Sequence, residues 1–422
     1  MSTVAREPTA DLGFDVSSLE FWLEYSPAQR DAAFARLRRE RPISWWGPVE
    51  SISLPPEMSS GGYWALTRYE DIRRVSRDER TFCSGQGVMF FDAPPEMLEA
   101  TTSFLSTDAP RHTKLRGLVS AAFTPRQVAR LEERIAFHAR EVVTRLLEHE
   151  EGDFVQLCAK QVPMRMIAEM IGVSGEDEER LQEAAEQLVN LGDPEVHGDR
   201  DPLELAGESI WAIAQMATAL AEERAAHPTD DLMSALVHAE IDGERLSTPE
   251  IAAFFNLLAV AGNDTTRHST SHAAKALDDN PEQRAYLVED LEPRLPAAVE
   301  EFVRWASPVQ TFRRTATRDT EIGGQAIAAG EKVVMFYGSG NRDDRAFDEP
   351  YRFDVSRSPN HHVGFGGGGV HYCLGASLAR TQLRCVFREL LTRVPGLRLG
   401  EPVPMVSSII NGIRRMPFTI EA

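Results

Sequence analysis

Apolar residues recur every three or four positions over most of the chain up to about residue 310, which is the spacing of helices that bury one face. Two of these segments carry start signals, because Ser26 precedes the repeat that begins at Pro27 and Thr124 precedes Pro125. A serine or threonine at such a position caps the helix, and the proline that follows it begins the first turn. The pattern therefore predicts a mainly helical protein.

A third helical segment should cross the centre of the fold. It runs from about Pro249 to Leu277, roughly 45 Å at the rise of an α-helix. Its middle, AAFFNLLAVAG, is apolar on every side, so the helix should lie inside the core. Short strand-like runs occur at GYWALTR, FRRTATRDTEI, KVVMFYG and IINGIRRMPFTI. The predicted fold class is α+β, mainly α with small β-sheets.

The composition favours one large domain inside the cell. The chain has 422 residues, 42% of them hydrophobic, and no repeat or glycine–serine linker divides it. We therefore expect a single domain over 1–422, with residues 1–20 as a loosely ordered arm. A formal net charge of −20 disfavours nucleic acid as a partner. No apolar run is long enough for a transmembrane helix, so we expect a cytoplasmic protein without a membrane anchor.

The stretch GFGGGGVHYCLG, residues 364–375, admits more than one interpretation. Gly364, Gly366 and Gly369 fit the G-x-G-x-x-G pattern of dinucleotide sites, but no clear strand precedes them and too little chain follows for a doubly wound sheet. The same loop presents Cys373 just before a helical segment, where the start of a helix favours a thiolate. A buried structural cysteine, or a zinc site with neighbouring histidines, remains an alternative at this point.

Five motifs, in order along essentially the whole chain, resemble those of the cytochrome P-450 family. They are the haem-ligand loop FGGGGVHYCLG, the oxygen-activation motif AGNDTT at 261–266, the E-x-x-R pair Glu301 and Arg304, the pair His112 and Arg116, and Arg357 in FDVSR. The loop departs from the usual pattern by one extra glycine between its phenylalanine and Cys373. Such an insertion is also found in actinobacterial members, and the chain is similar to the mycobacterial lipid or sterol hydroxylases among them.

The resemblance implies a single-domain cytochrome P-450 fold that holds haem b, iron protoporphyrin IX, between the long central helix and the cysteine loop. Cys373 would be the axial metal ligand through its thiolate. The other haem contacts that it implies are His112, Arg116, Ala261, Gly262, Arg314, Phe365, Gly366, His371 and Gly375. Arg313 and Arg314 are adjacent, and only one can face the haem if both lie in a strand. The family pattern R-x-A favours Arg314.

In the central helix the resemblance implies proton delivery by Asp264 and Thr265. Thr265 shares a helix face with Ala261, and Gly262 removes a side chain where a small ligand needs room. A hydroxyl and a carboxyl there can supply the protons that dioxygen activation consumes. The alternative is that both side chains only cap or bend the helix.

Two further sets of residues are implied with less support. Glu301, Arg304 and Arg357 should form a buried structural charge network, with Arg352 as the less favoured third member. Apolar residues of the loop that begins at Gly85, together with positions that contact substrate in the family, are the candidate substrate contacts. These are Met89, Phe90, Phe91, Leu257, Val260 and Val309. Ordinary core packing is the alternative for the loop residues.

The implied function is a haem-thiolate monooxygenase that uses O2 to hydroxylate an apolar substrate, namely a methyl-branched fatty acid, an isoprenoid or a sterol side chain. Electrons would come from NAD(P)H through a ferredoxin reductase and a ferredoxin. Five cations predict a basic ferredoxin-docking face: Arg111, Lys114, Arg126, Arg380 and Arg384. The alternatives are a non-catalytic haem-binding or sensor protein on the same fold, and a monooxygenase of a macrolide or terpene.

Overall fold

The computed structural model describes residues 6, 9, 12–50, 61–92, 102–191 and 193–421. Helices make up most of this part of the chain. In chain order they are α1 (Leu19–Leu23), α2 (Pro27–Glu40), α3 (Tyr69–Arg77), α4 (Arg111–Ser120), α5 (Pro125–Leu146), α6 (Gln161–Ile171), α7 (Glu176–Val189), α8 (Pro194–His197), α9 (Pro202–Ala226), α10 (Leu232–Val237), α11 (Thr248–Asp279), α12 (Pro281–Glu289), α13 (Leu291–Ala306), α14 (Tyr337–Gly340) and α15 (Ala376–Arg393).

The strands are short and form small sheets. They are β1 (Ile43–Trp46), β2 (Tyr63–Leu66), β3 (Phe82–Cys83), β4 (Glu151–Asp153), β5 (Glu240–Ile241), β6 (Glu244–Arg245), β7 (Thr311–Ala316), β8 (Thr320–Ile322), β9 (Gln325–Ile327), β10 (Lys332–Phe336), β11 (Leu397–Leu399), β12 (Val403–Pro404), β13 (Ile413–Arg415) and β14 (Pro417–Ile420). The largest sheet has the order β1-β2-β10-β7-β3. Within it β10 runs parallel to β2, and the other neighbours are antiparallel. The predicted fold class is confirmed.

Side-chain caps fix the helix starts that the sequence predicts. The Ser26 hydroxyl accepts from the Gln29 backbone N–H, and the Gln29 side chain accepts from the Ser26 N–H. At the start of α5, the Thr124 hydroxyl accepts from the Gln127 backbone N–H. A second reciprocal cap joins Ser247 and Glu250 at the start of α11. Each cap satisfies backbone donors that would otherwise lack a partner.

The central helix α11 spans 32 residues and lies in the middle of the fold. It packs against α6, α7, α9, α13 and α15. Phe254 and Phe255 are both about 1% exposed, and residues from Asn263 to Ser271 are buried as well, apart from Thr265. A helix that crosses the core is the outcome that its apolar middle predicts. Its central position sets one wall of the cavity described below.

Residues 12–20, the described end of the predicted arm, pack onto the largest sheet. Val16 is fully buried beside Phe21 and Trp46 in a cluster separate from the helical core. Arg6 donates to the Glu331 carboxylate over 2.8 Å. Residues 1–5, 7–8 and 10–11 lie outside the described part of the chain.

Two of the predicted strands end earlier than their apolar runs suggest. The segment FRRTATRDTEI divides into β7 and β8, because the Thr317 backbone N–H turns to donate to the Thr81 carbonyl. The segment KVVMFYG leaves the sheet after Phe336 and coils into α14. Among the described residues, no helix has the length and apolar character needed to cross a membrane.

Candidate functional site

A large cavity lies between α11 and the loop that ends in Cys373. The cavity and its opening enclose about 1420 Å³ of empty space. Many of the site residues predicted from the sequence line it. These are Arg116, Leu257, Ala261, Gly262, Thr265, Val309, Arg314, Phe365, Gly366, His371, Cys373 and Gly375. The fold therefore brings together residues that lie more than 250 positions apart in the sequence.

Glycines let the cysteine loop fold tightly against the end of α3. The Cys373 backbone N–H donates to the Phe365 carbonyl over 3.0 Å and closes the loop. A Cβ at Gly367 would lie 2.5 Å from the Ser76 hydroxyl, and one at Gly369 would lie 2.3 Å from the Ser76 carbonyl oxygen. Both positions therefore require glycine. The loop, with its extra glycine, thus lies against α3 and is closed by the Phe365–Cys373 hydrogen bond.

The surroundings of Cys373 act on its thiol in opposite directions. Burial raises the pKa of Cys373, whereas the Gly375 backbone N–H and the charges of Arg116 and Arg380 lower it. Burial is the largest of these effects, and the pKa is raised overall. Desolvation thus opposes the thiolate that the start of α15 favours, and the local donors do not by themselves lower the pKa of the free Cys373 thiol.

One end of the cavity carries cations and unused hydrogen-bond donors. Arg314 is 4% exposed, and its side chain donates to the Arg313 carbonyl over 2.7 Å. The rings of His112 and His371 lie 4.3 Å apart, centroid to centroid. Both ring nitrogens of His112 and Nδ1 of His371 are buried without a hydrogen-bond partner among the described residues. His112 lies behind His371 and does not line the cavity itself.

The electrostatics of this end suit an anionic group on the ligand. Burial, together with the charges of Arg314 and Arg116, lowers the pKa of His371 to about 2. Burial and then Arg116 also lower the pKa of His112. Both imidazoles are thus neutral, and each keeps one N–H to donate. Arginines beside neutral donors at one edge of an apolar cavity fit a flat apolar molecule with carboxylates along one edge, which is the chemistry of haem.

The two adjacent arginines of β7 point in different directions. Arg314 lines the cavity, whereas Arg313 pairs with the Asp92 carboxylate at 2.5 Å and donates to the Gln86 carbonyl. Alternation along a strand produces this division. Of the two, Arg314 is the one that faces the cavity, as the sequence favoured.

The middle of α11 presents its hydroxyl to the cavity as expected. The Thr265 hydroxyl donates to the Ala261 carbonyl over 3.0 Å, and both residues line the cavity. A Cβ on Gly262 would lie 2.3 Å from Cδ1 of Ile167 in α6. A side chain at Gly262 would thus collide with Ile167, and Gly262 itself lines the cavity. Nothing in the sequence marks Ile167, since it reads as one apolar residue of an amphipathic helix.

The Asp264 side chain lies on a different face of α11 from the one that lines the cavity. It is 2% exposed, does not line the cavity, and has its carboxylate 3.4 Å from Arg267, which also pairs with Glu186 at 2.8 Å. Neither carboxylate oxygen has a hydrogen-bond partner among the described residues. Burial raises the pKa of Asp264 to about 6, although the Arg267 charge opposes this rise.

The predicted substrate contacts divide into two groups. Leu257 and Val309 line the cavity, whereas Met89, Phe90, Phe91 and Val260 do not. Phe90 is 2% exposed and packs edge to face against Trp22, Tyr63 and Phe336. The prediction that Phe90 contacts substrate was wrong, because its ring packs within an aromatic core. Lining residues that sequence reasoning missed include Phe104, Leu105, Phe123, Ile167, Phe312 and Leu374.

A buried charge network braces the chain that leads to the cysteine loop. Arg304 donates two hydrogen bonds of 2.7 Å to the Glu301 carboxylate, and both side chains are fully buried. Arg357 completes the network at 3.2 Å from Glu301. The Arg352 side chain is instead exposed and pairs with Glu349. Arg357, and not Arg352, is therefore the third member of the network.

The predicted basic face is largely neutralised by neighbouring carboxylates. The ion pairs are Arg111–Glu250, Lys114–Asp242, Arg380–Glu300 and Arg384–Glu132. Of the five predicted cations, Arg126 is the one without an ion pair among the described residues. The field of this face is weaker than the sequence suggests, because ion pairs cancel most of its charge.

Comparisons with known proteins agree with this geometry. The family model described as Cytochrome P450 matches residues 57–394. The chain is 43% identical over 416 residues to a methyl-branched lipid omega-hydroxylase of Mycobacterium tuberculosis, covering 98% of this chain and 95% of that protein. It is 40% identical over 421 residues to a steroid C26-monooxygenase of Rhodococcus jostii, with 98% and 86% covered. A Mycobacterium marinum cytochrome P450 solved in complex with pseudoionone superposes with a TM-score of 0.95 at 52% identity, with 99% and 100% covered.

Proposed function

The chain belongs to the cytochrome P450 family of haem-dependent monooxygenases, and we propose that it hydroxylates a long, branched, apolar lipid. The proposal includes haem b as the cofactor, with Cys373 as the axial ligand. It also includes a ferredoxin and its reductase as the route of electrons from NAD(P)H. The observation that carries the proposal is the cavity itself, with Cys373 in one wall, cations at one end and apolar side chains around the rest.

Several side chains of the cavity lining suit the chemical groups of a haem. Arg116 and Arg314 would hold its carboxylates, and His371 would add a neutral N–H donor. Phe365 and Gly366 would lie against its face beside Cys373. When bound, a haem with a cysteine thiolate ligand supplies dioxygen activation. The ring nitrogens of His112 have no partner among the described residues, so its N–H would be free to donate to a haem carboxylate.

The apolar walls would orient the substrate and exclude water. Leu257, Val309 and Phe312 present hydrocarbon surface to the cavity. Burial of a lipid chain against such surface contributes about 25 cal/mol for each Å² removed from water. The lining cations lie at the haem end, so the remainder of the cavity suits a hydrocarbon chain. The relatives named for methyl-branched lipids and steroids, and the complex with pseudoionone, support a branched apolar substrate.

Two side chains of α11 would manage protons. The Thr265 hydroxyl faces the cavity, and because it donates its proton to the Ala261 carbonyl, its oxygen is free to accept a hydrogen bond from a water or a protonated ligand in the cavity. Asp264 is its neighbour in sequence, and with a pKa of about 6 it can take up and release a proton near neutral pH.

The substrate proposal is tested by optical titration of the haem-loaded protein with branched fatty acids, isoprenoids, sterols and macrolides. We expect the branched lipids to displace water and to shift the Soret band to shorter wavelength. Shifts confined to macrolides would overturn the lipid proposal and favour the macrolide alternative, while leaving the monooxygenase class intact.

The proton role is tested with Thr265→Ala. We expect product formed per NAD(P)H consumed to fall and hydrogen peroxide to rise, because the hydroxyl is lost while the cavity keeps its shape. Thr270→Ala is the matched control, since Thr270 makes the same backbone hydrogen bond on the same helix but does not line the cavity. Equal product yields in wild type and Thr265→Ala would refute the role.

A further inference from the structure

A hydrogen-bonded cluster lies next to the cysteine loop and takes no part in the haem contacts proposed above. Arg380 of α15 makes two parallel hydrogen bonds to the Glu300 carboxylate of α13, at 2.6 and 2.8 Å. His362 donates from Nε2 to the same carboxylate over 3.2 Å. Its Nδ1 accepts from the Gly364 backbone N–H over 3.1 Å, which fixes the tautomer. The cluster thus ties three separate elements together.

The cluster contacts Phe365, whose backbone carbonyl accepts a hydrogen bond from Cys373. The Arg380 guanidinium carbon lies 4.4 Å from the centroid of the Phe365 ring. The Phe365 carbonyl accepts the Cys373 backbone N–H at 3.0 Å. A planar guanidinium whose Nε and Nη2 both donate to one carboxylate has little freedom to leave the ring. Glu300 therefore determines where the Arg380 charge sits relative to Cys373.

We infer that Glu300 is a positioning residue that holds the Arg380 charge beside the cysteine ligand, and that this pair sets the reduction potential of the bound haem. The inference rests on the proposed function, in which Cys373 ligates the iron. Reduction of the bound haem adds one electron and therefore one negative charge to the site. A nearby cation stabilises the reduced form and a nearby carboxylate destabilises it.

Charge balance supports this inference. Burial raises the pKa of Glu300, but the hydrogen bonds from Arg380 and His362 outweigh it and hold the pKa at about 2. Burial keeps His362 neutral by lowering its pKa. Hydrogen bonding to Glu300 raises the pKa of Arg380 despite its burial. The wild-type cluster therefore contains one positive and one negative charge, and each single neutralising substitution leaves a net charge of known sign.

The experiment is a dye-mediated redox titration of the haem-loaded protein for four forms: wild type, Glu300→Gln, Arg380→Gln and the double variant. Glu300→Gln leaves an unbalanced cation, so its potential should move in the positive direction. Arg380→Gln leaves an unbalanced carboxylate, so its potential should move in the negative direction. The double variant is neutral again and should return towards wild type. Both single shifts should shrink at high salt, because the pair is partly exposed to solvent.

A matched control lies two turns further along the same helix. Arg388 makes the same bidentate pair with Glu292, at 2.6 and 2.7 Å, and Glu292 is more exposed than Glu300. Glu292→Gln and Arg388→Gln should leave the potential unchanged. Shifts of Glu300→Gln and Arg380→Gln in the same direction, or no shift, would overturn the inference, because a merely structural role predicts no opposition of sign. Absence of a thiolate-type spectrum in wild type would instead refute the proposed function.

Discussion

The two sides of the cavity are built on different principles. On the cysteine side, polar contacts and glycines hold each position, as in the Phe365–Cys373 hydrogen bond and the collisions that bar a side chain at Gly367 and Gly369. On the opposite side, apolar residues such as Leu257 and Val309 form the wall through packing alone. A charge or a glycine in a fold has few interchangeable replacements, whereas one apolar residue serves equally as cavity wall or as core. Motifs therefore identify the cysteine side well and the substrate side poorly.

The largest effect is expected where the cysteine side depends on buried charge. Glu301→Gln leaves Arg304 buried without its carboxylate partner, so we expect a loss of about 3 to 5 kcal/mol in stability and little haem-loaded protein. Haem content and thermal unfolding measure this. Arg352→Gln is the control, because its exposed pair with Glu349 contributes about 0 to 1 kcal/mol. A Glu301→Gln protein as stable as the control would show that the network does not brace the loop.

A second prediction sharpens the division between core and cavity wall. Phe90→Ala should cost about 3 to 5 kcal/mol in urea unfolding and leave the affinity for apolar ligands unchanged, because Phe90 belongs to the aromatic core. Leu257→Ala, in the cavity wall, should change ligand affinity at a smaller cost in stability. The opposite result, with Phe90→Ala altering binding and keeping its stability, would return Phe90 to the substrate contacts.

The smallest effect is expected at Asp264, a polar residue buried on the far face of α11. Its pKa is raised from 3.8 to about 6 in the folded protein, so the folded protein favours the protonated carboxyl. The contribution of this group to the free energy of unfolding is complete below pH 4 and is lost as pH rises through 6. Asp264→Asn should therefore be more stable than wild type at pH 8, by up to about 3 kcal/mol, and the difference should shrink towards pH 5. Thermal unfolding at both pH values measures this. A difference that does not vary with pH would contradict the raised pKa.

The same contrast explains how much the sequence could predict. The caps at Ser26 and Thr124 and the apolar middle of α11 are local signals, so the helices and the fold class follow from them. The network of Glu301, Arg304 and Arg357 follows from charged residues in a family pattern. Ile167 beside Gly262 could not be predicted, because its role depends on how α6 crosses α11. The neutralisation of the basic face could not be predicted either, because it depends on acidic residues that are distant in the sequence.

The central claim is that Cys373 provides the thiolate ligand within this cavity. The most direct measurement is the carbon monoxide difference spectrum of the reduced protein in wild type, Cys373→His and Cys385→Ala. Cys385 is the matched control, because it is buried in α15, the helix that follows the loop, and does not line the cavity. The account predicts the Soret position typical of thiolate-ligated haem in wild type and Cys385→Ala, and its loss in Cys373→His. A thiolate-type band that persists in Cys373→His would contradict the account.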